Sequence, residues 1–152
     1  MRSKRLAKDY LSMLDLHNKS KLINIDCLGE PPERYNVIYY CRSLVWLDGN
    51  QSPSYSSRHQ LEIYLHKDYP RLPPLLKWLT DIYHPNILPP QKNGGVCIGG
   101  WTAAETLDGL CLRIGEMLQY KNYNLFDPLN EDAARWIQNN RDFLPLDNRN
   151  LL

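Results

Sequence analysis

The residues best equipped for chemistry lie between Tyr83 and Trp101, in the string YHPNILPPQKNGGVCIGGW. Pro85, Pro89, Pro90, Gly94, Gly95, Gly99 and Gly100 rule out a regular helix or strand there. Rigid, irregular loops often carry function. This one presents a single thiol, Cys97, with the amide of Asn86 eleven positions upstream. A sulfur nucleophile and an amide donor suit acyl chemistry: the thiolate attacks a carbonyl and the amide steadies the oxyanion. The pairing alone does not decide the matter, since an isolated cysteine is more often a small buried apolar residue. His84 opens a second possibility, a thiol hydrolase built on Cys97 and His84. Neither a third group to orient the histidine nor a substrate pocket can be read from the sequence.

The elements around this loop follow from periodicity. Residues 4–17 read as a helix, with Leu6, Tyr10, Met13 and Leu14 at three- and four-residue spacing. Lys4, Arg5 and Lys8 lie beside that stripe, either as a solvated face or as a docking surface for an acidic partner. Ile23–Leu28, Asn36–Cys41, Gln60–Leu65 and Leu75–Leu79 read as four strands, with a polar loop over Asp48–Arg58. Strands with no helix between them argue for an antiparallel meander. Tyr69–Pro74 is an extended turn, because each proline fixes its own φ and biases the preceding residue. Beyond the cysteine loop, Leu107, Leu110, Cys111, Ile114, Met117 and Leu118 form one helical stripe, so Cys111 belongs to the core. Thr102–Glu105 has the spacing of a capping box ahead of it. Asp127–Asn130 is a turn, Asn130 an N-cap, and a last helix runs from Glu131 to about Asn140.

Composition narrows the function classes. The 152 residues, expected to form one domain, carry a formal net charge of +1, which exerts no global pull toward nucleic acid or membrane. No apolar run is long enough to span a bilayer, and the N-terminus shows no secretory signal. The cysteines at 27, 41, 97 and 111 are scattered, which indicates neither a zinc site nor a disulfide framework and favours a reducing, cytoplasmic setting.

Taken in order, YPRLPP at Tyr69–Pro74, YHPNI at Tyr83–Ile87, GGVCIG around Cys97, Trp101, and NLFDPLNEDAARW at Asn124–Trp136 resemble the ubiquitin-conjugating (E2) family. The resemblance spans nearly the whole chain. It implies an α+β UBC fold over residues 1–152: an N-terminal helix, a four-stranded antiparallel meander, a catalytic-cysteine loop and two C-terminal helices. It implies that Cys97 accepts the C-terminal glycine of a ubiquitin-like modifier from an E1 as a thioester and passes it to a target amine. By the same resemblance Asn86 steadies the oxyanion or orders the loop, and Asp127 orients or deprotonates the incoming lysine. Asn124 shares Asp127's gate loop, Tyr83 packs the floor of the site and His84 is a structural turn residue. Lys4, Arg5 and Lys8 become candidates for E1 contact. No metal or cofactor is implied, ATP being consumed by the partner E1. A thioester is already activated, so positioning and modest electrostatics suffice without a strong base.

The departures from the family pattern also matter. Leu88–Asn93 is an insertion, the Cys97–Trp101 spacing is shortened, and Gly99 stands where many members carry an acid. Arg71 replaces a phenylalanine that E3 ligases often grip, and Ala103 replaces the proline of the Trp-Ser-Pro turn. Exchanging an apolar anchor for a charge weakens a desolvated contact by on the order of 1–3 kcal/mol, which argues against a conventional E3 partner. These traits resemble the E2-like proteins of bacterial ubiquitin-like conjugation operons, such as the antiphage Bil type. The rival reading is a catalytically inactive E2 variant, a binding module for a ubiquitin-like protein. Such variants usually lack the cysteine, whereas Cys97, Asn86 and Asp127 are all present.

Overall fold

A computed structural model describes residues 2–152. Helix α1 (Arg2–Lys19) is followed by β1 (Ile23–Gly29) and β2 (Pro32–Tyr39), a short hairpin of β3 (Ser43–Val45) and β4 (Ser54–Ser56), then β5 (His59–Tyr64) and β6 (Leu75–Trp78). The chain then enters the cysteine loop and closes with α2 (Leu107–Leu118) and α3 (Glu131–Asn139). The main sheet is antiparallel in the order β1-β2-β5-β6, the expected meander. On β5, His59, Leu61 and Ile63 are buried and alternate with half-buried neighbours, as a period of two requires.

The sheet, α1 and α2 share one core. Leu6, Met13 and Leu16 of α1, Val37, Tyr39, Leu61, Ile63 and Trp78 of the sheet, and Leu110, Cys111, Ile114 and Leu118 of α2 are all buried in it. The Tyr39 hydroxyl donates to the Cys111 carbonyl at 2.7 Å, joining sheet to helix inside the core. A second cluster of Leu44, Tyr120, Ile137 and Leu146 lies between the hairpin, α3 and the C-terminal segment.

Three expectations need correction. The buried line of α1 is Leu6, Asp9, Met13 and Leu16, while Tyr10 and Leu14 are exposed. A carboxylate can sit in that line because Arg5 Nε bonds both Asp9 oxygens (3.0 and 3.1 Å) and the Tyr69 hydroxyl donates to Asp9 at 2.7 Å. The polar loop at Asp48–Arg58 contains β4, which pairs with β3 from Ser43↔Ser56 to Val45↔Ser54. The N-cap of α2 is Thr106, whose hydroxyl accepts from Gly109 N–H at 3.2 Å. Thr102–Glu105 is instead a turn one step earlier, with the Glu105 carboxylate accepting from the Thr102 N–H at 2.5 Å. Asn130 does cap α3, accepting from Ala133 N–H at 3.0 Å and contributing about 1 kcal/mol.

Candidate active site

The cysteine loop is a small hairpin. Ile87 pairs antiparallel with Val96, and the base is fastened by Cys97 N–H to Asn86 O at 2.9 Å and Leu88 N–H to Gly95 O at 2.8 Å. The insertion read from the sequence forms its tip, including a turn of 3-10 helix over Pro90–Lys92. The extra residues therefore lengthen the hairpin without separating Asn86 from Cys97. Trp78 N–H donates to Gly94 O at 2.8 Å, which ties the hairpin to the end of β6. Only glycine fits at that seam: φ is +68° at Gly94, and a Cβ there would lie 2.7 Å from Trp78 O.

His84 organises the hairpin's entry and takes no part with the thiol. Its ring is fully buried, Nδ1 accepts from the Asn86 N–H at 3.0 Å, and Nε2 lies 2.8 Å from the Met117 carbonyl. An N–H donor on one side and a carbonyl on the other fix the neutral tautomer with its hydrogen on Nε2. Burial lowers the His84 pKa to about 4, from an ordinary value near 6.5. With both nitrogens engaged, a Cys97–His84 dyad does not form.

A stability consequence follows. The unfolded chain binds the His84 proton more tightly than the fold does, so stability present above about pH 6.5 is lost as pH falls toward 4, by about 3 kcal/mol at 1.36 kcal/mol per unit. His59, whose pKa burial also lowers, adds in the same direction. Urea unfolding midpoints measured across pH 4–7 are expected to drop steeply below 6.5. His84→Gln is expected to flatten that slope in part.

Asn86 is 4% exposed and both ends of its amide are engaged. Nδ2 donates to the Asn124 carbonyl at 2.8 Å, and Oδ1 accepts from the Asn124 N–H at 2.9 Å. The pair of bonds works like one rung of a β-ladder and pins the loop after α2 against the cysteine hairpin. Of the two roles expected for Asn86, ordering the loop is the one visible in this geometry. Asn124 in turn accepts the Phe126 N–H on its side-chain oxygen at 2.8 Å, and the Pro85 carbonyl accepts from Leu129 and Asn130 at 2.8 and 3.2 Å. Asp127 is exposed at the crest of this doubly anchored loop, at φ +51°, a left-handed conformation that aspartate tolerates.

Cys97 is free and exposed. It opens onto a cleft of about 180 Å³ lined by Asn86, Ile98, Gly99, Arg113, Met117, Asn122, Tyr123 and Asn124. Sequence reading therefore found Cys97, Asn86 and Asn124 of this cleft and missed Arg113, Met117, Asn122 and Tyr123. Arg113 and Met117 are one turn apart on α2, a spacing that puts two side chains on one face. Asp127 is not among the lining residues. Burial pushes the Cys41 and Cys111 thiols up to about 12, leaving Cys27 and Cys97 as the accessible cysteines.

Two candidate residues do not do what was expected of them. Tyr83 does not floor the cleft. It precedes the inward His84 in an extended segment, so its ring turns the other way, edge-on to Trp46 at 5.0 Å and near Asp132 and Trp136. Arg5 is not part of a free basic face, because its guanidinium is spent internally. Besides Asp9 it bonds Tyr69 Oη (3.0 Å) and the carbonyls of Ala103 and Glu105 (2.6 Å each), clasping α1 to the turn before α2. Lys4 and Lys8 are exposed. Trp101 anchors the downstream limb, donating its indole N–H to Pro70 O at 2.9 Å.

A family model described as Ubiquitin-conjugating enzyme matches residues 39–144, which include both limbs of the cleft. The chain belongs to the ubiquitin-conjugating enzyme family. Over 114 residues it is 38% identical to Ubiquitin-conjugating enzyme E2 13 of Saccharomyces cerevisiae, covering 71% of this chain and 69% of that one. It is 31% identical over 107 residues to Ubiquitin-conjugating enzyme E2 N of Drosophila melanogaster, covering 68% and 66%. The E2 domain of a Toxoplasma gondii ubiquitin-conjugating enzyme superposes with a TM-score of 0.64 at 23% identity, over 94% of this chain and 90% of that one, which establishes the UBC fold. Family membership brings the general chemistry of thioester-mediated transfer of a ubiquitin-like protein, with a modifier, an E1 and a target as partners. Among the described residues no helix is long and apolar enough to cross a membrane.

Proposed function

We propose that this chain is an active E2 that accepts a ubiquitin-like modifier as a thioester on Cys97 and transfers it to a target lysine. The observation that carries the reading is an exposed, free thiol lining a cleft that the Asn86–Asn124 rung also lines and pins. In loading, the Cys97 thiolate attacks the E1-bound thioester carbonyl, forms a new sulfur–carbon bond and expels the E1 thiolate. In transfer, a lysine amine attacks that carbonyl, expels the Cys97 thiolate and loses its extra proton. The exposed Asp127 carboxylate, on the loop that the rung holds, is the group assigned to receive or orient that proton. A buried neutral His84 fits transfer better than hydrolysis, because both of its ring nitrogens are engaged and it is not free to activate water. An exposed, unblocked cysteine favours the enzyme over the non-catalytic binding variant.

Arg71 is exposed and ion-paired with Asp68 at 3.3 Å, and the Ala103 carbonyl is taken by Arg5. Both support a partner set of modifier, E1 and target without a conventional E3. A place in a bacterial antiphage conjugation system, acting in the cytoplasm, rests on those departures and on the lengthened hairpin.

The test is single-turnover discharge. Charged protein mixed with free lysine is expected to lose its modifier to lysine faster than to water. Asp127→Ala is expected to slow that loss most near neutral pH, where a lysine of ordinary pKa near 10.4 is almost wholly protonated. Discharge to water at the same rate as to lysine would contradict transferase activity.

A further inference from the structure

We propose that the pocket walled by Trp46, Tyr83 and Trp136 binds an arginine side chain of the target, placed about three residues from the acceptor lysine. The inference rests on transfer to a lysine at Asp127 and deepens it by naming which targets are favoured.

Three aromatic side chains from separate parts of the chain meet here. The Trp46 and Tyr83 rings stand edge to face, 5.0 Å apart at 64°. Trp136 joins them from α3, one turn after Asp132 and on the same face. These four residues line an open pocket of about 470 Å³. Trp46 is 40% exposed, although its indole N–H is already satisfied by the Asn50 carbonyl at 2.9 Å. Tyr83 and Trp136 are half-buried. What the pocket offers a ligand is therefore ring surface, which attracts cations through the ring quadrupole.

The adjoining space selects the charge. A second cavity, of about 340 Å³, shares Trp46, Tyr83 and Asp132 and adds Asp48 and Asp81, against one cation, Lys92. Asp132 also pairs with Arg135, which lies outside both linings. Among the described residues no cation of this chain covers the three rings, since the recorded stacks are Arg5 on Tyr69, Arg34 on Tyr64 and Arg42 on Tyr55. Aromatic faces beside carboxylates suit a guanidinium. It is planar, stacks on an indole and keeps an N–H fork for a carboxylate, whereas an ammonium is compact and strongly hydrated.

Position assigns that arginine to the target. The pocket and the Cys97 cleft share no lining residue. One loop runs from Asn124 in the cleft to Asn130 in the pocket, with Asp127 midway between them. Three residues span at most about 11 Å, the length of about three residues of extended peptide. A target that presents its lysine at Asp127 thus brings a flanking side chain to the aromatic walls.

The probe is acetyl-Arg-Gly-Gly-Lys-Gly-Gly-Arg-amide, with arginine on both sides of the acceptor. Its control carries citrulline, neutral and nearly isosteric, in place of both arginines. Binding to the uncharged protein is read from the indole N–H resonances, assigned by single Trp→Phe variants. Those of Trp46 and Trp136 are expected to shift with the arginine peptide and at least about threefold less with the control. Those of Trp78, buried in the core, and Trp101, bonded to Pro70 O, are expected to stay in place. In discharge of the loaded protein, the arginine peptide is expected to reach half-saturation at about tenfold lower concentration, with the maximal rate within about twofold. Trp46→Ala and Asp132→Asn are each expected to cut that preference to about threefold or less. The ratio is taken within each variant, so a general loss of stability does not mimic the effect. Equal indole shifts with the two peptides, or equal half-saturation on loaded protein, overturn the inference. Indole shifts that follow protein concentration without peptide also overturn it, the occupant then being a second copy of the chain. Arginine-dependent shifts in a protein that an active E1 cannot charge would uphold the pocket and overturn the carrier function instead.

Discussion

Cys97→Ser is expected to abolish turnover and to leave a modifier adduct that survives reducing agent. Serine presents an oxygen in place of the exposed sulfur, so loading from the E1 forms an oxyester, which thiols do not cleave and lysine attacks slowly. The expected loss of lysine discharge is complete within detection, because no other thiol can substitute. Cys41 and Cys111 are buried with thiols raised to about 12. Cys27 is exposed on β1 and absent from the cleft lining. Reducing gels of the loaded variant check the expectation. A reduction-resistant band absent from Cys97→Ala locates the acyl group, and a band present in both would place it elsewhere.

The second large effect belongs to Asn86. Its amide holds Asn124 through one donated and one accepted bond, so Asn86→Asp keeps the bond to the Asn124 N–H and sets a carboxylate against the Asn124 carbonyl. The loop carrying Asp127 then loses one of its two anchors, the other being Pro85 O to Leu129 and Asn130. Mispositioning by about 1 Å costs about 10²-fold in rate. Lysine discharge is therefore expected to fall about 10²-fold in Asn86→Asp, with loading from the E1 affected much less. Asn86→Ala is expected to show the same split, reaching up to about 10³-fold if the second Nδ2 hydrogen also serves the oxyanion. Single-turnover loading and discharge, measured separately, check this. Equal losses in both steps would mean that Asn86 supports the hairpin itself.

Much of the fold was legible because it rests on local period. The α2 stripe and the alternation of β5 gave those elements, and Asn130 marked the start of α3. The hairpin of β3 and β4 was not, since three-residue strands containing Ser43, Ser54 and Ser56 offer no period above the polar background. In α1 the buried line includes a charged residue, and Asp9 is tolerated there only through Arg5 and a tyrosine 60 positions away. The same clasp removed Arg5 from the basic face on which it was read. Within the site, Cys97 and Asn86 stood out by type, whereas the bond linking Asn86 to Asn124 spans 38 positions and no local pattern encodes it. Arg113 was hidden in the same way: on a stripe read as core, a neighbouring arginine looks like a solvated residue until the cleft is seen beside it.

The central claim, that Cys97 carries a modifier as a thioester, is tested most directly by intact mass. The protein is incubated with ATP, a candidate E1 and its modifier, then divided into reduced and unreduced samples and mapped by peptide. A single modifier-sized adduct on Cys97, present without thiol and absent with it, is the expected result. A modifier that remains bound without any covalent adduct, in the presence of an E1 shown to be charged, would contradict it and make the protein a binding module on the same fold.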